Sequence, residues 1–341
     1  MKVFVGMSGG VDSSLTAALL VEQGHDVTGV YMKNWSEDLP GMECPWAEDL
    51  ADAKRVAVHL GIDFKVFDFE NEYKHKVVEY MIDEYKLGRT PNPDIMCNQE
   101  VKFKLFLEAS LEQGADCIAT GHYASTKNGK LYMAKDQNKD QTYFLYRVTG
   151  EALTKTLFPL GEYTKPEVRN MAEERGLTTA HKKDSVGICF VGQIGIRDFL
   201  GQYVETSRGN IIDTVTNKTV GSHDGAIFYT LGQRHGLDVG GGLPYYVVGK
   251  NMGKNEVYVS NQLQNELLWK SEVTLEDIHW INGEPADAAV SVRVRHRAAL
   301  VLATIQDNIL RFNEEQRAIT PGQSMVLYDG DECIGGGIIT S

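Results

Sequence analysis

The first 120 residues alternate short apolar runs with longer stretches in which apolar residues recur at helical spacing. The short runs predict buried β-strands, and the stretches between them predict helices. The predicted strands are residues 3–5, 27–31, 64–69 and 117–120, and the predicted helices are residues 11–23, 47–60, 73–85 and 101–113. This alternation is typical of an α/β fold, a doubly wound parallel sheet that binds its ligand at the carboxyl ends of the strands.

The pattern changes after residue 190, where glycines become frequent and helical spacing fades. Short β-branched and aromatic runs between turn signals predict a small β-rich central domain. From about residue 273 onward a compact C-terminal β-barrel is predicted, with strands at residues 290–297, 300–305, 325–328 and 337–339. We therefore expect three domains, at residues 1–205, 206–264 and 265–341.

Composition limits the class of protein. The 42% apolar and 24% charged shares of the 341 residues are ordinary for a soluble globular protein. No apolar run is long enough to span a membrane, and the sequence enters a strand at once without a secretion signal, so we expect a cytoplasmic protein. The net charge of −13 argues against nonspecific nucleic-acid binding over the whole surface, but it still permits a local basic face.

Residues 6–14, GMSGGVDSS, form a glycine-rich segment between the first predicted strand and the first predicted helix. The N–H groups and the dipole of a helix N-terminus favour an anion there. Ser8 and Ser13 add hydroxyls, while Gly9 and Gly10 let the backbone approach a ligand closely. The segment lacks the spacing and the lysine of a Walker A loop, and the GxGxxG of dinucleotide folds. A nucleotide site is predicted; the alternative is a serine-rich helix cap.

Two cysteines lie in segments that suit a reactive thiol. Cys97 follows Pro91 and Pro93, which predict an extended, non-helical path just before a helix, and a helix N-terminus favours the thiolate. Cys189 follows a basic stretch at residues 181–183, whose charge has the same effect. The alternatives are a buried, inert cysteine at position 97 and a strand cysteine at position 189.

The other cysteines suggest no metal centre. The five cysteines are widely spread and include no C-x-x-C pair, so we expect neither zinc nor an iron–sulfur cluster. Cys44, Cys117 and Cys333 match no catalytic pattern and receive no role. Cys117 lies in a predicted apolar strand, which favours burial in the core.

Seven motifs occur in order along the chain and together identify a family. They are GMSGGVDSS (6–14), PNPDIMCN (91–98), TGHYA (120–124), NKDQTYFLY (138–146), DSVGICF (184–190), TLGQRHGL (230–237) and PGQS (321–324). Through them the chain resembles the bacterial tRNA-specific 2-thiouridylases, of the ATP pyrophosphatase superfamily, over almost its full length. Other ATP pyrophosphatases share only the first motif, so the ordered series makes the resemblance specific.

The resemblance implies a two-stage reaction on tRNA. ATP would adenylate the C2 oxygen of the wobble uridine in tRNAs for lysine, glutamate and glutamine, with release of pyrophosphate. Sulfur would arrive as a persulfide on Cys189, from a cysteine desulfurase or a sulfur-relay protein, with Cys97 as the partner nucleophile. Two routes stay open: Cys97 releases sulfide by forming a disulfide with Cys189, or the persulfide attacks C2 and Cys97 then resolves it.

The resemblance also implies the residues of each site. Asp12 would hold Mg²⁺ together with the phosphates, and Asp94 would join Cys97 and Cys189 as a catalytic residue. The ATP contacts fall on Gly6, Met7, Ser8, Gly9, Gly10, Val11, Asp12, Ser13, Met32 and Gly121. The tRNA contacts fall on Asn92, Pro93, Asp94, His122, Lys139, Asp140, Gln141, Arg295, His296 and Gln323. For Met32 and Gly121 the alternatives are core packing and a strand-end turn.

A basic strand supports nucleic-acid binding independently of the family. Arg293, Arg295 and Arg297 stand at every second position, so a strand would present their guanidinium groups on one face. The alternative is a solvated strand face. Further cations near the expected site are Lys135, Lys139, Arg147, Lys182 and Lys183. Such a face would read an anticodon loop through splayed bases, and the wobble base would have to flip out.

Two other functional classes compete with this interpretation. A small-molecule ligase or amidotransferase of the same superfamily would need a glutaminase site or a carboxylate substrate, and would not need the two thiols. A noncatalytic RNA-binding module would bind tRNA without turning over ATP. The intact glycine-rich segment and the presence of both thiols oppose each of these classes.

Overall fold

Three sheets organise the chain. The computed structural model describes residues 1–38, 46–183, 195–237, 239–240, 244–262, 264–286 and 288–340. These residues form a five-stranded sheet, a four-stranded sheet and an eight-stranded sheet that contains a barrel. The predicted fold class, a parallel α/β sheet followed by a small β-rich region and a C-terminal barrel, is confirmed. No helix in these ranges has the length and the apolar character needed to cross a membrane.

A parallel sheet lies at the centre of the N-terminal part. The strands of this part are β1 (Lys2–Gly6), β2 (Asp26–Lys33), β3 (Asp63–Asp68), β4 (Cys117–Ala119), β5 (Ser125–Lys127), β6 (Lys130–Tyr132) and β7 (Thr156–Leu157). The parallel sheet has the order β3-β2-β1-β4-β7, so the first strand of the chain is central. The strands predicted at residues 3–5, 27–31, 64–69 and 117–120 are confirmed to within two residues.

Helices cover both faces of this sheet. The α-helices are α1 (Val11–Glu22), α2 (Trp46–Leu60), α3 (Glu70–Tyr73), α4 (Glu79–Lys86), α5 (Pro93–Met96), α6 (Phe106–Glu112), α7 (Gly150–Thr154), α8 (Lys165–Glu174) and α9 (Ile196–Leu200), and a π-helical segment at Lys74–Val78 joins α3 to α4. Phe4 belongs to one buried cluster, whereas its neighbours Val3 and Val5 belong to another. Successive strand residues face opposite sides, so both sides of β1 are buried.

The helix that carries Cys97 begins earlier than predicted. Helical turns run from Pro93 through α5, a π-helical segment at Cys97–Leu105 and α6, whereas the predicted start was residue 101. Proline is tolerated at the first position of a helix, because its missing N–H would have no partner there. The prediction of a non-helical path through Pro93 is therefore wrong. Cys97 lies inside the helix, about one turn from its start.

Two β-sheets follow the parallel sheet, and one of them extends back to the N-terminal part. The smaller sheet consists of β8 (Gly209–Asp213), β9 (Lys218–His223), β10 (Tyr246–Asn251) and β11 (Glu256–Ser260). The barrel consists of β12 (Trp269–Trp280), β13 (Ala289–Arg293), β14 (Val301–Gln306), β15 (Ile309–Arg317), β16 (Ser324–Asp329) and β17 (Glu332–Ile339). Pairing of β12 with β17 closes the barrel, and β6 pairs with β17, so the β5–β6 hairpin joins the barrel sheet.

Candidate functional site

The glycine-rich segment lies at the carboxyl end of the central strand. β1 ends at Gly6 and α1 begins at Val11, with Gly10 as an extended N-cap. Among the described residues no side chain caps this helix. The hydroxyl of Ser13 instead accepts a hydrogen bond from the N–H of Ser8 at 3.1 Å, which folds the segment back on itself. The N–H groups of the first helical turn are thus available to an anion, and the geometry fits a nucleotide phosphate.

Two glycines allow the backbone of this segment to pack closely. Gly9 has a φ of +72°, and a Cβ there would lie 2.3 Å from the carbonyl oxygen of Asp49 on α2. A Cβ on Gly121 would lie 2.8 Å from the backbone nitrogen of Ser13. Neither position accommodates a side chain without movement, so glycine is required at both. The structure thus places Gly121, which follows β4, directly against the start of α1.

The other predicted ATP contacts surround the same strand end. The side chains of Met7 and Val11 are 1% and 4% exposed, so they pack in the core and leave only backbone to face a ligand. Met32, near the end of β2, lies close to Gly6, since a Cβ added to Gly6 would be 3.0 Å from the Met32 Cε. Ser8 is exposed. The residues predicted to bind ATP are therefore adjacent in the fold.

Asp12 is held by two residues that were not among the predicted site residues. Lys165, the first residue of α8, places its Nζ 2.7 Å from each carboxylate oxygen of Asp12, and the hydroxyl of Tyr123 donates to the same carboxylate at 2.9 Å. Lys165 is only 8% exposed. Mg²⁺ on this carboxylate does not fit the arrangement, because both oxygens already face an ammonium group. No group of three or more metal-binding side chains occurs within the described ranges.

Lys182 contacts α2 beside the same loop. Its Nζ lies 2.7 Å from Asp49 and 2.5 Å from Asp52, so its charge is neutralised rather than presented to a ligand. Burial opposes the charge of Lys182, but its hydrogen bonds to the two carboxylates raise its pKa. Asp49 is also the residue whose backbone lies against Gly9. Lys182 therefore ties the chain that precedes residue 184 to the glycine-rich loop.

A second site lies where the parallel sheet region, the central sheet region and the barrel meet. It is a pocket of about 300 Å³, a size at the lower end of small-molecule sites. Its lining combines polar side chains with three aromatic rings, including that of a histidine. The lining residues are Asn92, Asp94, Tyr143, Phe144, Thr230, Leu231, Arg295, His296, Thr320 and Gln323. The structure thus brings together five of the positions assigned to tRNA by resemblance: Asn92, Asp94, Arg295, His296 and Gln323.

Contacts between distant parts of the chain hold the pocket walls together. The N–H of Thr90 donates to the carbonyl of Pro321 at 2.9 Å, and the Thr90 hydroxyl lies 3.2 Å from that of Thr230. A Cβ on Gly322 would lie 2.8 Å from the Thr90 nitrogen, and its φ is +88°, so the PGQS turn requires glycine there. The residues just before Asn92 are therefore packed against both β regions.

His296 forms an aromatic wall of the pocket with Phe144. The two ring centroids are 4.5 Å apart at an angle of 44°. Burial lowers the pKa of His296 to about 4, and the charge of Arg297 acts in the same direction. Its Nδ1 atom is buried and has no hydrogen-bond partner among the described residues. The neutral imidazole therefore offers one unsatisfied nitrogen near the pocket.

Asp94 and Cys97 lie on one side of the same helix. They are three residues apart, the spacing of neighbours on a helix face. Burial raises the pKa of the Asp94 carboxyl, and Lys102 partly opposes this effect. Cys97 is 2% exposed, so its thiol is shielded from open solvent. On this helix Asn98 also donates to the carbonyl of Phe144 at 3.0 Å, fixing the aromatic wall to the cysteine-bearing helix.

The predicted arginine face does not form. β13 ends at Arg293, and Arg297 has a φ of +62°, so Arg295 and Arg297 lie in a turn. Arg293 is buried and its guanidinium lies 2.6 Å from the carboxylate of Asp140, which is itself 1% exposed. The prediction of three guanidinium groups on one strand face is wrong, because the first is used in a buried ion pair. Arg295 alone of the three lines the pocket.

Other predicted tRNA contacts lie apart from the pocket lining. His122 is buried between Phe103 and Phe158, with ring centroids 5.6 and 6.2 Å away, and burial lowers its pKa well below the usual value. Gln141 accepts a hydrogen bond from the N–H of Tyr123 at 2.9 Å. Pro93 is buried at the helix start, and Lys139 is partly exposed.

Arg147, expected to add positive charge near the site, is instead 8% exposed. It forms an ion pair with Asp277 of the barrel at 2.7 Å. Its role in the fold is to join the N-terminal part to the barrel.

Comparison with known proteins agrees with this architecture. Residues 1–193 match the family described as tRNA methyl transferase HUP domain, residues 197–261 match the tRNA methyl transferase PRC-barrel domain, and residues 270–339 match the aminomethyltransferase beta-barrel domain. A tRNA-specific 2-thiouridylase MnmA from Limosilactobacillus reuteri is 47% identical over 358 aligned residues, covering 99% of this chain and 95% of that protein. The chain belongs to the tRNA-specific 2-thiouridylase family.

Another member of the 2-thiouridylase family is equally similar in sequence. The tRNA-specific 2-thiouridylase MnmA of Bacillus cereus is 47% identical over 350 residues, covering 99% of this chain and 94% of that protein. Among solved structures, the crystal structure of a 4-thiouridine synthetase–RNA complex with bound ATP matches 60% of this chain and 50% of that chain, at 19% identity and a TM-score of 0.39.

The pocket of this 2-thiouridylase family member also contains residues that the sequence motifs did not assign to a site. Tyr143 and Phe144 lie in the NKDQTYFLY motif, but their side chains have the apolar character of core residues, and nothing in the sequence marks them as pocket walls. Thr230, Leu231 and Thr320 come from the two β regions, far away in sequence. Cys189 and Cys44 lie outside the described residues. Cys117 and Cys333 are both buried, as the core assignment of Cys117 predicts.

Proposed function

We propose that this chain forms 2-thiouridine in tRNA, using ATP to activate the base and a cysteine-bound sulfur atom to replace its C2 oxygen. The observation that carries the proposal is the pocket, which gathers polar and aromatic residues from three parts of the chain. A flipped-out pyrimidine needs an aromatic face and hydrogen-bonding groups at its edge, and such a pocket supplies both. Membership in the 2-thiouridylase family supports the same chemistry.

ATP binding is assigned to the glycine-rich loop. The backbone N–H groups at the start of α1 and the close approach allowed by Gly9 suit the phosphates of a nucleotide. Mg²⁺ is proposed only as the companion ion of ATP, held by phosphate oxygens. No step is assigned to it, because Lys165 occupies the carboxylate of Asp12.

The proposed reaction has two stages. First the C2 oxygen of uridine attacks the α-phosphorus of ATP and pyrophosphate leaves, which makes the oxygen part of a good leaving group. Then sulfur attacks C2 and AMP leaves with that oxygen. We assign the sulfur to a persulfide on Cys189 and the second thiol to Cys97, one turn from Asp94 beside the pocket. An amide-like carbonyl is a weak electrophile, so activation must precede sulfur attack.

Both routes for the sulfur atom use the same two thiols, and in each route the atoms and electrons balance. In one, the Cys97 thiolate attacks Cys189 Sγ of the persulfide and releases sulfide, which attacks C2. In the other, the terminal persulfide sulfur attacks C2, and Cys97 then attacks Cys189 Sγ to free the thiocarbonyl. Each route leaves a Cys97–Cys189 disulfide, so each turnover needs a thiol reductant and a fresh sulfur donor.

The finer assignments are part of the same proposal. They are the wobble uridine of tRNAs for lysine, glutamate and glutamine as the target, and a cysteine desulfurase or relay protein as the donor. They also include the cytoplasm as the compartment and domain boundaries near residues 205 and 264. The motif series, through the family resemblance, supports the first of these, and the donor is inferred from the need to supply a persulfide.

A reconstituted reaction tests the proposal. The protein is incubated with ATP, Mg²⁺, sulfide and unmodified glutamate tRNA, and the nucleosides are analysed by mass. We expect 2-thiouridine together with AMP and pyrophosphate. Asp12→Ala should abolish AMP formation, because it removes the carboxylate that positions Lys165 and Tyr123 at the loop. The proposal would be overturned if the folded wild-type protein formed no 2-thiouridine in the tRNA.

Cysteine variants separate the two stages. With a persulfide donor, Cys97→Ser and Cys189→Ser should each abolish thiolation while adenylation of tRNA continues. Cys333→Ser is the matched control, because Cys333 is buried in the barrel and its thiol lies 3.9 Å from the Thr142 carbonyl, where a hydroxyl keeps an acceptor. Full thiolation by either of the first two variants would contradict their sulfur-transfer roles.

A further inference from the structure

Lys250 is a partly buried lysine that the proposed reaction does not use. It lies on β10, and its Nζ donates to the backbone carbonyl of Tyr229 at 2.7 Å. Its aliphatic stem reaches the N-terminal part, since a Cβ on Gly88 would lie 3.6 Å from the Lys250 Cε. Burial lowers the pKa of Lys250 to about 8. The side chain therefore sits between the central sheet and the end of α4.

Among the described residues, no carboxylate neutralises the charge of Lys250. Across the described ranges, no Asp or Glu lies within ion-pair distance of its Nζ, whereas the buried cations Arg147 and Arg293 each have one. Burying an ammonium group without a counter-ion is costly, and an apolar side chain of similar length would pack at lower cost. The hydrogen bond to Tyr229 is the interaction that an apolar side chain would lose.

That hydrogen bond holds the residue next to a pocket wall. Thr230 and Leu231, which we call the 230–231 wall, line the pocket directly after Tyr229. The N–H of Thr230 donates to the side chain of Gln233 at 3.0 Å, and its hydroxyl contacts Thr90 at 3.2 Å. Two hydrogen bonds thus hold Thr230 directly, and Lys250 holds the residue before it; of these three contacts, only that of Lys250 carries a charge.

We infer that Lys250 is a positioning residue that fixes the 230–231 wall and thereby sets how tightly the pocket holds the target nucleotide. The inference rests on the proposed function, because it takes the pocket as the nucleotide site. The central sheet region would thereby contribute to tRNA affinity. Lys250 lies outside all seven motifs, so the motifs do not reveal this contribution. Lys250 would act through Tyr229 and Thr230, without touching the reacting atoms.

The test is steady-state thiolation with tRNA as the varied substrate. Lys250→Met keeps most of the stem and removes the donor, and Lys250→Arg restores a cationic donor. Lys254→Met is the matched control, because it makes the same change of charge at an exposed position on the turn between β10 and β11. We expect KM for tRNA to rise about tenfold in Lys250→Met, the order of effect of losing one hydrogen bond to a charged donor, with kcat within twofold and KM for ATP unchanged.

A merely structural lysine would give a different pattern. Lys250→Met would then melt at lower temperature but, at a temperature where it is folded, would show the KM of wild type and of Lys254→Met. That result would overturn the inference, as would failure of Lys250→Arg to restore KM in a folded protein. An inactive wild-type protein would instead refute the proposed function, so the two failures are distinguishable.

A second variant keeps the test decisive if Lys250→Met does not fold. Thr90→Val removes the hydroxyl on the opposite side of the 230–231 wall while preserving side-chain shape. It should raise KM for tRNA in the same direction, also with kcat nearly unchanged. An unchanged KM in Thr90→Val would mean that the position of the wall does not control affinity, and the inference would fail.

Discussion

Asp140→Asn offers a sharp test of how the barrel is attached to the catalytic part. Asp140 is 1% exposed, and its carboxylate lies 2.6 Å from the guanidinium of Arg293. It also accepts hydrogen bonds from the Thr142 hydroxyl at 2.8 Å and the Ala134 N–H at 3.0 Å. The Ala134 N–H donates to Oδ1, which asparagine can keep as an oxygen, whereas Thr142 and Arg293 both donate to Oδ2, which becomes an amide NH2. The Thr142 hydroxyl can accept from that amide instead, so the substitution chiefly removes the negative charge and the acceptor that compensate Arg293.

The magnitude follows from the burial of both partners. Removing one member of a buried ion pair leaves the other charge uncompensated, which costs ~3–5 kcal/mol. Arg293 is 7% exposed, so solvent screens little of that cost. Because the total stability of a domain is about 5–15 kcal/mol, the barrel should unfold at a much lower urea concentration. Its unfolding can be followed by the fluorescence of Trp269 and Trp280 on β12.

Two further variants show whether charge is the cause. Adding Arg293→Met to Asp140→Asn removes the uncompensated cation and should recover part of the lost stability. Glu332→Gln breaks the exposed pair with Lys130 between β6 and β17, at the same junction, and should cost less than about 1 kcal/mol. If Asp140→Asn were as stable as Glu332→Gln and instead raised KM for tRNA, Asp140 would be a direct contact and the structural reasoning would be refuted.

Three other outcomes are expected. Gly9→Ala should abolish ATP binding, measured by equilibrium dialysis, because its Cβ would lie 2.3 Å from the Asp49 carbonyl oxygen; Gly24→Ala, with a similar positive φ and open space around it, should retain binding. Lys165→Met should slow AMP formation at least tenfold, because it removes the ammonium group that Asp12 positions at the loop and leaves the Asp12 carboxylate unpaired; Lys135→Met, which breaks an exposed pair with Glu167 at 3.3 Å, should not. Stability should fall as pH drops from 6.5 towards 4, because His296 has a folded pKa of about 4 against 6.5 for the ordinary group and the unfolded chain binds the proton first. Thermal melts should show this loss reduced by ~1 kcal/mol in a His296→Asn variant, because the half-buried ring is partly screened by solvent.

Local sequence patterns predicted the parallel sheet well because its strands are short, apolar and regularly spaced. The glycine-rich loop could also be located, since its function depends on backbone geometry that only glycines at fixed spacing allow. The barrel was harder to predict: β12 and β15 were missing from the predicted strands because they are rich in charged and polar residues. Buried and exposed residues alternate over only part of each strand, so the period-two pattern that predicts a strand is interrupted.

Side-chain roles at the site were predictable only where the interacting residues are close together in the sequence. Asp94 and Cys97 are neighbours on one helix, so their proximity is encoded in their spacing. The pairing of Asp140 with Arg293, 153 residues apart, is not. Without that pairing both residues resemble surface charges, and a strand of alternating arginines suggests a nucleic-acid face. The same reason explains Lys165, whose position at Asp12 depends on how α8 packs against α1.

The contact pattern implies that nucleotide binding and base binding are separable. The glycine-rich loop is held by β1, α1 and residues of α2 and α8, all within the parallel sheet region. The pocket, by contrast, needs Thr90 to contact both Pro321 of the barrel turn and Thr230 of the central region. A variant that loosens the barrel should therefore weaken binding of tRNA while its affinity for ATP stays near that of wild type. Equal loss of both affinities would mean that the three regions fold as one cooperative unit.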